Sequence, residues 1–119
     1  RLTKVTGVQT CALPIYIECR FVSRKKREHV LTYEELTEEL MQAYKIIVNC
    51  TPVGMFPHTD ECPKIPYRFL TPRHLLYDLL YNPDVTLFLK KGAEKGTVVK
   101  NGLEMLLFQA FAAWDIWNK

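Results

Sequence analysis

Four consecutive cations, Arg24, Lys25, Lys26 and Arg27, are the densest charge in the chain. Such a run is either a solvated surface loop or a phosphate site, where a guanidinium grips two oxygens through paired N–H···O bonds. A second segment, NCTPVGM, begins at Asn49. Asn49 and Thr51 offer hydrogen-bonding groups there, and Gly54 permits close backbone approach; the same residues serve equally well to end a strand and turn it. Tyr81 and Gln109 are single polar groups on otherwise apolar elements, and each needs either a ligand or a backbone partner. His29, His58 and His74 show no metal-ligand spacing. Cys11, Cys19, Cys50 and Cys62 form no CxxC pair, which argues against a zinc site or a disulfide framework and fits a reducing cytoplasmic setting. With no Ser/His/Asp arrangement in view, no residue is assigned to catalysis and none to a metal.

Elements must bring these groups together, and composition bounds what they can be. With 119 residues, 48% of them hydrophobic, the chain suits one small domain with a single core. A net charge of +3 gives no case for nucleic acid as a partner. No apolar run approaches the roughly 18 residues of a membrane span.

Residues 1–16 alternate irregularly and contain Pro14, so no helix or strand is expected there. The stretch VTGVQTCALPI resembles translated adapter sequence, and 1–16 is expected to be an artefactual leader, with a disordered leader as the alternative. From residue 17 the pattern becomes regular. IECRFVS reads as a strand with Ile17, Cys19 and Phe21 on one face. Residues 23–29 form a polar loop. Thr32 with Glu35 makes a capping box that should start a helix through Leu36, Leu40 and Ala43. KIIVNCT reads as a buried parallel strand. Five prolines and glycines (Pro52, Gly54, Pro57, Pro63, Pro66) mark a long irregular loop. LLYDLLY reads as a strand, 86–94 as a helix ended by Gly96, and TVVK as a short strand. Residues 102–117 carry Leu103, Leu106, Leu107, Ala110, Phe111 and Trp114 at helical spacing.

Alternating strands and helices favour right-handed crossovers and a parallel sheet covered on both faces. The expected fold is α/β, a partial Rossmann-like doubly wound sheet with a long C-terminal helix, over residues 17–119. Ligands bind such sheets outside the carboxyl ends of the strands. That rule selects residues 23–27, 49–55 and 81–82, with Asn101 and Gly102 approaching the same crevice. A cationic loop after the second strand, in place of an acidic residue, suits the 2′-phosphate of NADP.

Taken in order and spacing, NCTPVGM, LLYDLLYNP and KNGLEMLLFQAFAAWDIW resemble the C-terminal half of shikimate dehydrogenases, and VSRKKR resembles the family's Asn-Arg-Thr stretch. The family reduces 3-dehydroshikimate to shikimate with NADPH in aromatic amino-acid biosynthesis. The resemblance implies that Arg24 with Lys25 contacts the 2′-phosphate, with Lys26 or Arg27 as a further cation. It places Asn49 and Thr51 along the cofactor groove, Leu79 and the Gly102 backbone beside the nicotinamide, and Met105 nearby. Tyr81 and Gln109 would hydrogen-bond the substrate. Ser23 and Lys25 replace the family's Asn and Thr, which alters single contacts and keeps the charge. The family's glycine-rich pyrophosphate loop and catalytic Lys-Asp pair find no counterpart, Lys4 falling in the suspect leader. Negligible turnover and an open sheet edge are therefore expected. Two other readings are a quinate/shikimate dehydrogenase using NAD and a non-catalytic nucleotide-binding module.

Overall fold

A computed structural model of the chain describes residues 2–5 and 18–118. Six parallel strands form one sheet: β1 Leu2–Val5, β2 Cys19–Val22, β3 Val30–Leu31, β4 Ile46–Asn49, β5 Leu75–Asp78 and β6 Val98–Lys100. Their order is β3-β2-β1-β4-β5-β6, with every neighbouring pair parallel. This is the doubly wound order, whose direction reverses at β1. Among the described residues three α-helices accompany the sheet: α1 Glu38–Ala43, α2 Leu87–Glu94 and α3 Leu103–Trp117.

Two expectations for the N-terminal stretch are corrected. Leu2–Val5, expected to be irregular, is the central strand, paired with β2 on one side and β4 on the other. The open edge expected between β2 and β4 is therefore filled. Residues 6–17, including Cys11 and Ile17, lie outside the described residues.

The core occupies one face of the sheet among the described residues, where cover on both was expected. Lateral register puts Val22, Leu31, Ile47, Asn49, Leu76 and Asp78 on the same face, and all six are buried. Val22 is thus the enclosed residue of β2, whereas Cys19 and Phe21 on the other face are half-buried. Chain direction explains this. The crossovers β3–α1–β4 and β5–α2–β6 advance the same way along the sheet, and right-handed connections place both helices on one side. Only the β1-to-β3 connections run oppositely. Phe88 and Leu89 of α2 and Met41 of α1 close the core.

Several local boundaries shift for identifiable reasons. Thr32 and Glu35 do pair, Thr32 N–H donating to Glu35 Oε1 at 3.1 Å, but they close a short 3-10 turn, Tyr33–Glu35. The α-helix starts later, where the Thr37 hydroxyl accepts the Leu40 N–H at 3.2 Å. β3 was hidden by its two-residue length. β5 stops at Asp78, short of the predicted LLYDLLY strand, because the Asp78 carboxylate accepts the Leu80 N–H at 3.0 Å and turns the chain. Gly96, at φ +75°, ends α2 as expected.

α3 forms as predicted but packs against nothing beyond its first turns. Leu103, Leu106, Leu107, Phe108, Phe111, Trp114, Ile116 and Trp117 are all exposed.

Candidate functional site: the crevice beyond the strand ends

The last residues of four strands stand side by side, since Val5 pairs with both Val22 and Asn49, and Asn49 with Asp78. The loops leaving β2, β4 and β5 therefore meet in one crevice. A cleft of about 750 Å³ opens there, lined by Arg24 after β2, Val53 after β4 and Leu87 at the start of α2. Tyr33 and Lys91 add an aromatic face and a second cation, and Glu34, Asp60 and Glu61 add acidic groups along its rim. Lys91 Nζ lies 5.0 Å from the Tyr67 ring centre, a cation–π contact.

The cations divide by partner. Lys26 is held by Glu35, with Nζ 3.0 Å from Oε1, and this bond is the first cause of a lowered Glu35 pKa. Arg24 faces the cleft, and Lys25 and Arg27 are exposed.

Asn49 and Thr51 are placed differently from groups that offer free hydrogen bonds to a ligand. Both are buried, at 0% and 7% exposure. Asn49 Oδ1 accepts from Thr51 N–H at 3.0 Å and from the Thr51 hydroxyl at 2.6 Å. Asn49 Nδ2 donates to Asp78 Oδ1 at 3.2 Å. The Thr51 hydroxyl oxygen in turn accepts the Val53 N–H at 3.2 Å. These side chains shape the loop from Asn49 to Val53. Gly54 takes φ +98°, open to glycine at little cost.

Asp78 is the hub that residue patterns alone missed. It is fully buried, and it accepts from Asn49, from Leu80 N–H and, through Oδ2, from the Thr86 hydroxyl at 2.6 Å. Thr86, also buried, accepts the Leu89 N–H and so caps α2. One carboxylate thus ties the loops after β4 and β5 to the start of α2. Burial raises its pKa, and the three hydrogen bonds pull against that rise. A lone acid inside the apolar run LLYDLLY was the available signal.

At the far end of the crevice, Gly102 is buried against Leu79. Its N–H donates to Leu80 O at 3.0 Å, and a β-carbon at this position would collide with the Leu79 carbonyl. Asn101, one residue before the helix cap at Gly102, accepts the Leu103 N–H through Oδ1 at 3.1 Å. Met105 and Gln109, one turn apart, share a face of α3; Met105 is half-buried and Gln109 exposed. Tyr81 is 47% exposed on the loop after β5. The structure therefore brings Leu79 and Gly102 into contact and lines the cleft with Arg24. Tyr81 and Gln109 are both exposed. Among the described residues, no group of three or more His, Cys, Asp or Glu is placed to hold a metal. No helix there is long and apolar enough to cross a membrane.

His74, expected to have no catalytic role, is buried in the fold: it lies 2.7 Å through Nε2 from Met41 O, and its Nδ1 accepts the Thr71 N–H at 3.1 Å.

Comparison with known proteins then decides what this crevice resembles. Over 98 residues, covering 82% of this chain, it is 39% identical to an NADP(+) shikimate dehydrogenase of Methanococcus maripaludis. Its relatives are shikimate dehydrogenases. A second, from Desulforamulus reducens, is 44% identical over 73 residues, 61% of this chain. No family model matches the chain. The chain spans 25% and 35% of the length of these two curated relatives. Among solved structures, a chorismate mutase/shikimate 5-dehydrogenase fusion from Clostridium acetobutylicum superposes with TM-score 0.69 at 38% identity, covering 84% of this chain and 37% of that one. A shikimate 5-dehydrogenase from Listeria monocytogenes, in complex with shikimate and NAD, gives TM-score 0.68 at 30% identity over 75% of this chain and 32% of its own. The α/β class and parallel doubly wound sheet expected from sequence are those of the shikimate dehydrogenase structures.

Proposed function

We propose that this chain carries part of the cofactor-binding domain of an NADP-dependent shikimate dehydrogenase, with β1 as the central strand of its sheet. The reaction is reduction of 3-dehydroshikimate to shikimate: hydride from NADPH adds to the ketone carbon and a proton adds to the oxygen. The names of the relatives support the substrate class. The observation that carries the cofactor choice is Arg24 on a cleft beyond the carboxyl ends of β2 and β4.

In this reading, Arg24 with the exposed Lys25 holds the 2′-phosphate, and the Val53 and Leu87 walls receive the adenosine half. The close junction of Leu79 with Gly102 faces the nicotinamide, with Met105 beside it. Tyr81 and Gln109 address the substrate. Asn49 and Thr51 act on the cofactor through the loop they fold. The groups present fit NADP in kind: the Arg24 guanidinium on the cleft for the doubly charged phosphate, and apolar walls at Val53 and Leu87 for the base. No described residue is assigned to proton transfer, and the family's Lys-Asp pair has no counterpart in this reading.

A reading with NAD as the preferred cofactor has one observation in its favour, the NAD bound to the Listeria monocytogenes relative. Arg24 separates the two. A charge-assisted hydrogen bond to an ionised group contributes about 1.5–3 kcal/mol, so Arg24→Ala should weaken NADP binding roughly tenfold to hundredfold. NAD, which lacks the phosphate, should bind Arg24→Ala within about twofold of the unchanged chain, since only a weak through-space effect remains. Calorimetric titration of both nucleotides reads this directly. An NADP affinity untouched by the substitution sinks the assignment of Arg24.

A further inference from the structure

We propose that Tyr33 is a second phosphate ligand in the cleft, its hydroxyl donating to the nucleotide phosphate that Arg24 grips; the inference rests on the NADP reading above. Tyr33 and Arg24 line one cleft from two elements, the turn after β3 and the loop after β2. A guanidinium meets two phosphate oxygens through paired N–H···O bonds, and a phosphate monoester offers three. The third oxygen needs a donor of its own. Among the described residues nothing hydrogen-bonds the Tyr33 hydroxyl, and no enclosed side-chain polar atom lacks a partner, so this hydroxyl is open to the cleft. Burial raises the pKa of the phenol, and the Arg24 charge pulls against that rise. The hydroxyl therefore keeps its proton at neutral pH and stays a donor.

The fold ties the two groups together before any ligand arrives. The Tyr33 ring packs against the core, so it has little rotamer freedom left to lose on binding. Its turn is closed by the Leu36 N–H donating to Tyr33 O at 3.2 Å. Glu35 anchors that turn, accepting from the Thr32 N–H at 3.1 Å and from Lys26 Nζ at 3.0 Å. Lys26 lies two residues past Arg24, so this ion pair fastens the Arg24 loop to the Tyr33 turn. From the other side, the Ser23 N–H donates to Leu31 O at 2.8 Å and the Val30 N–H to Arg27 O at 3.1 Å. Lys26 thus serves as a clamp, with its charge already matched. Lys91 is turned to the Tyr67 ring, 5.0 Å from its centre. Lys64 is an exposed ammonium on a flexible stem, which gives up more freedom on binding than a packed ring. Glu34, Asp60 and Glu61 are exposed on the rim; ionised carboxylates only accept, so none supplies a donor.

Tyr33→Phe removes one oxygen and keeps the ring, and calorimetric titration with NADP and with NAD reads the effect. NADP binding should weaken roughly threefold to tenfold, the equivalent of one hydrogen bond. NAD binding should stay within about twofold, and the urea midpoint should not move, since the hydroxyl has no partner in the fold. If the ring instead stacks on the base, Tyr33→Phe leaves NADP binding unchanged and Tyr33→Ala weakens both nucleotides alike, which overturns the proposal. So does a Tyr33→Phe loss that is equal for NADP and NAD. NADP binding that falls with Arg24→Ala and ignores Tyr33→Phe overturns the role of Tyr33 and leaves the NADP reading standing. Equal affinities of the unchanged chain for NADP and NAD overturn both.

Discussion

Asp78→Ala should destabilise the folded chain by about 3 kcal/mol, measured as a fall in the urea midpoint at neutral pH. The substitution strips the acceptor from three donors at once: Asn49 Nδ2, the Leu80 N–H and the Thr86 hydroxyl. A buried donor left without a partner costs about 1–3 kcal/mol, and relief from burying a charge offsets part of that sum. Asp78→Asn should be milder, near 1 kcal/mol, because the amide keeps one acceptor oxygen and carries no charge. The pH dependence has a definite sign. Burial raises the Asp78 pKa above its ordinary 3.8. The stability contributed by its protonation is therefore fully present below that value and is lost as pH rises through the folded-state pKa. Asp78→Asn, which does not titrate, should compare worst with the unchanged chain in acid and improve as pH rises. An Asp78→Ala protein as stable as the parent at neutral pH would falsify the hub role.

Gly102→Ala has a different expected signature, because the helix beyond Gly102 is free to move. Its β-carbon would meet the Leu79 carbonyl carbon and oxygen. Those are backbone atoms that cannot rotate away, and overpacking of this kind costs about 1–3 kcal/mol. In a closed core that cost would appear in global stability. Here α3 packs on nothing past its start, so the strain is released by swinging α3 outward and breaking the Gly102 N–H···O bond to Leu80. Hydrogen exchange should therefore speed up at residue 102 by roughly tenfold to hundredfold, while the urea midpoint moves little. Met105 and Gln109 travel with the helix, so the crevice loses one wall. Unchanged exchange at residue 102 would show that the junction tolerates a side chain.

These two positions mark the limit of what the sequence could tell. The strands β2, β4, β5 and β6 were legible because short β-branched and aromatic runs end at turn residues, and α2 because Thr86 and Gly96 bracket it. β3 was not, since two residues carry no periodicity. β1 was not, because Leu2–Val5 has no pattern that separates a central strand from an irregular stretch. Its place is fixed by pairing with β2 and β4, which is a non-local fact. Thr32 and Glu35 formed their box but only a 3-10 turn, since the better cap at Thr37 lay five residues on. Within the site, Arg24 was legible as charge after a strand. Asn49 and Thr51 read as cofactor-groove residues from their place at a strand end and from the family resemblance. Their partner, Asp78, is 29 residues from Asn49 in sequence, so the closed network appears only when β4 and β5 lie side by side. Gly102 was chosen for its backbone, and the reason it must be glycine, the carbonyl of Leu79, also lies across a strand-to-helix junction.

The crevice is read as a site for a dinucleotide carrying a 2′-phosphate, with Arg24 at its cleft. Isothermal titration of the intact chain with NADP and with NAD, at one ionic strength, tests this most directly. The predicted result is NADP binding tighter than NAD by at least about tenfold, the equivalent of one strong phosphate contact. Equal affinities, or a preference for NAD, would contradict it.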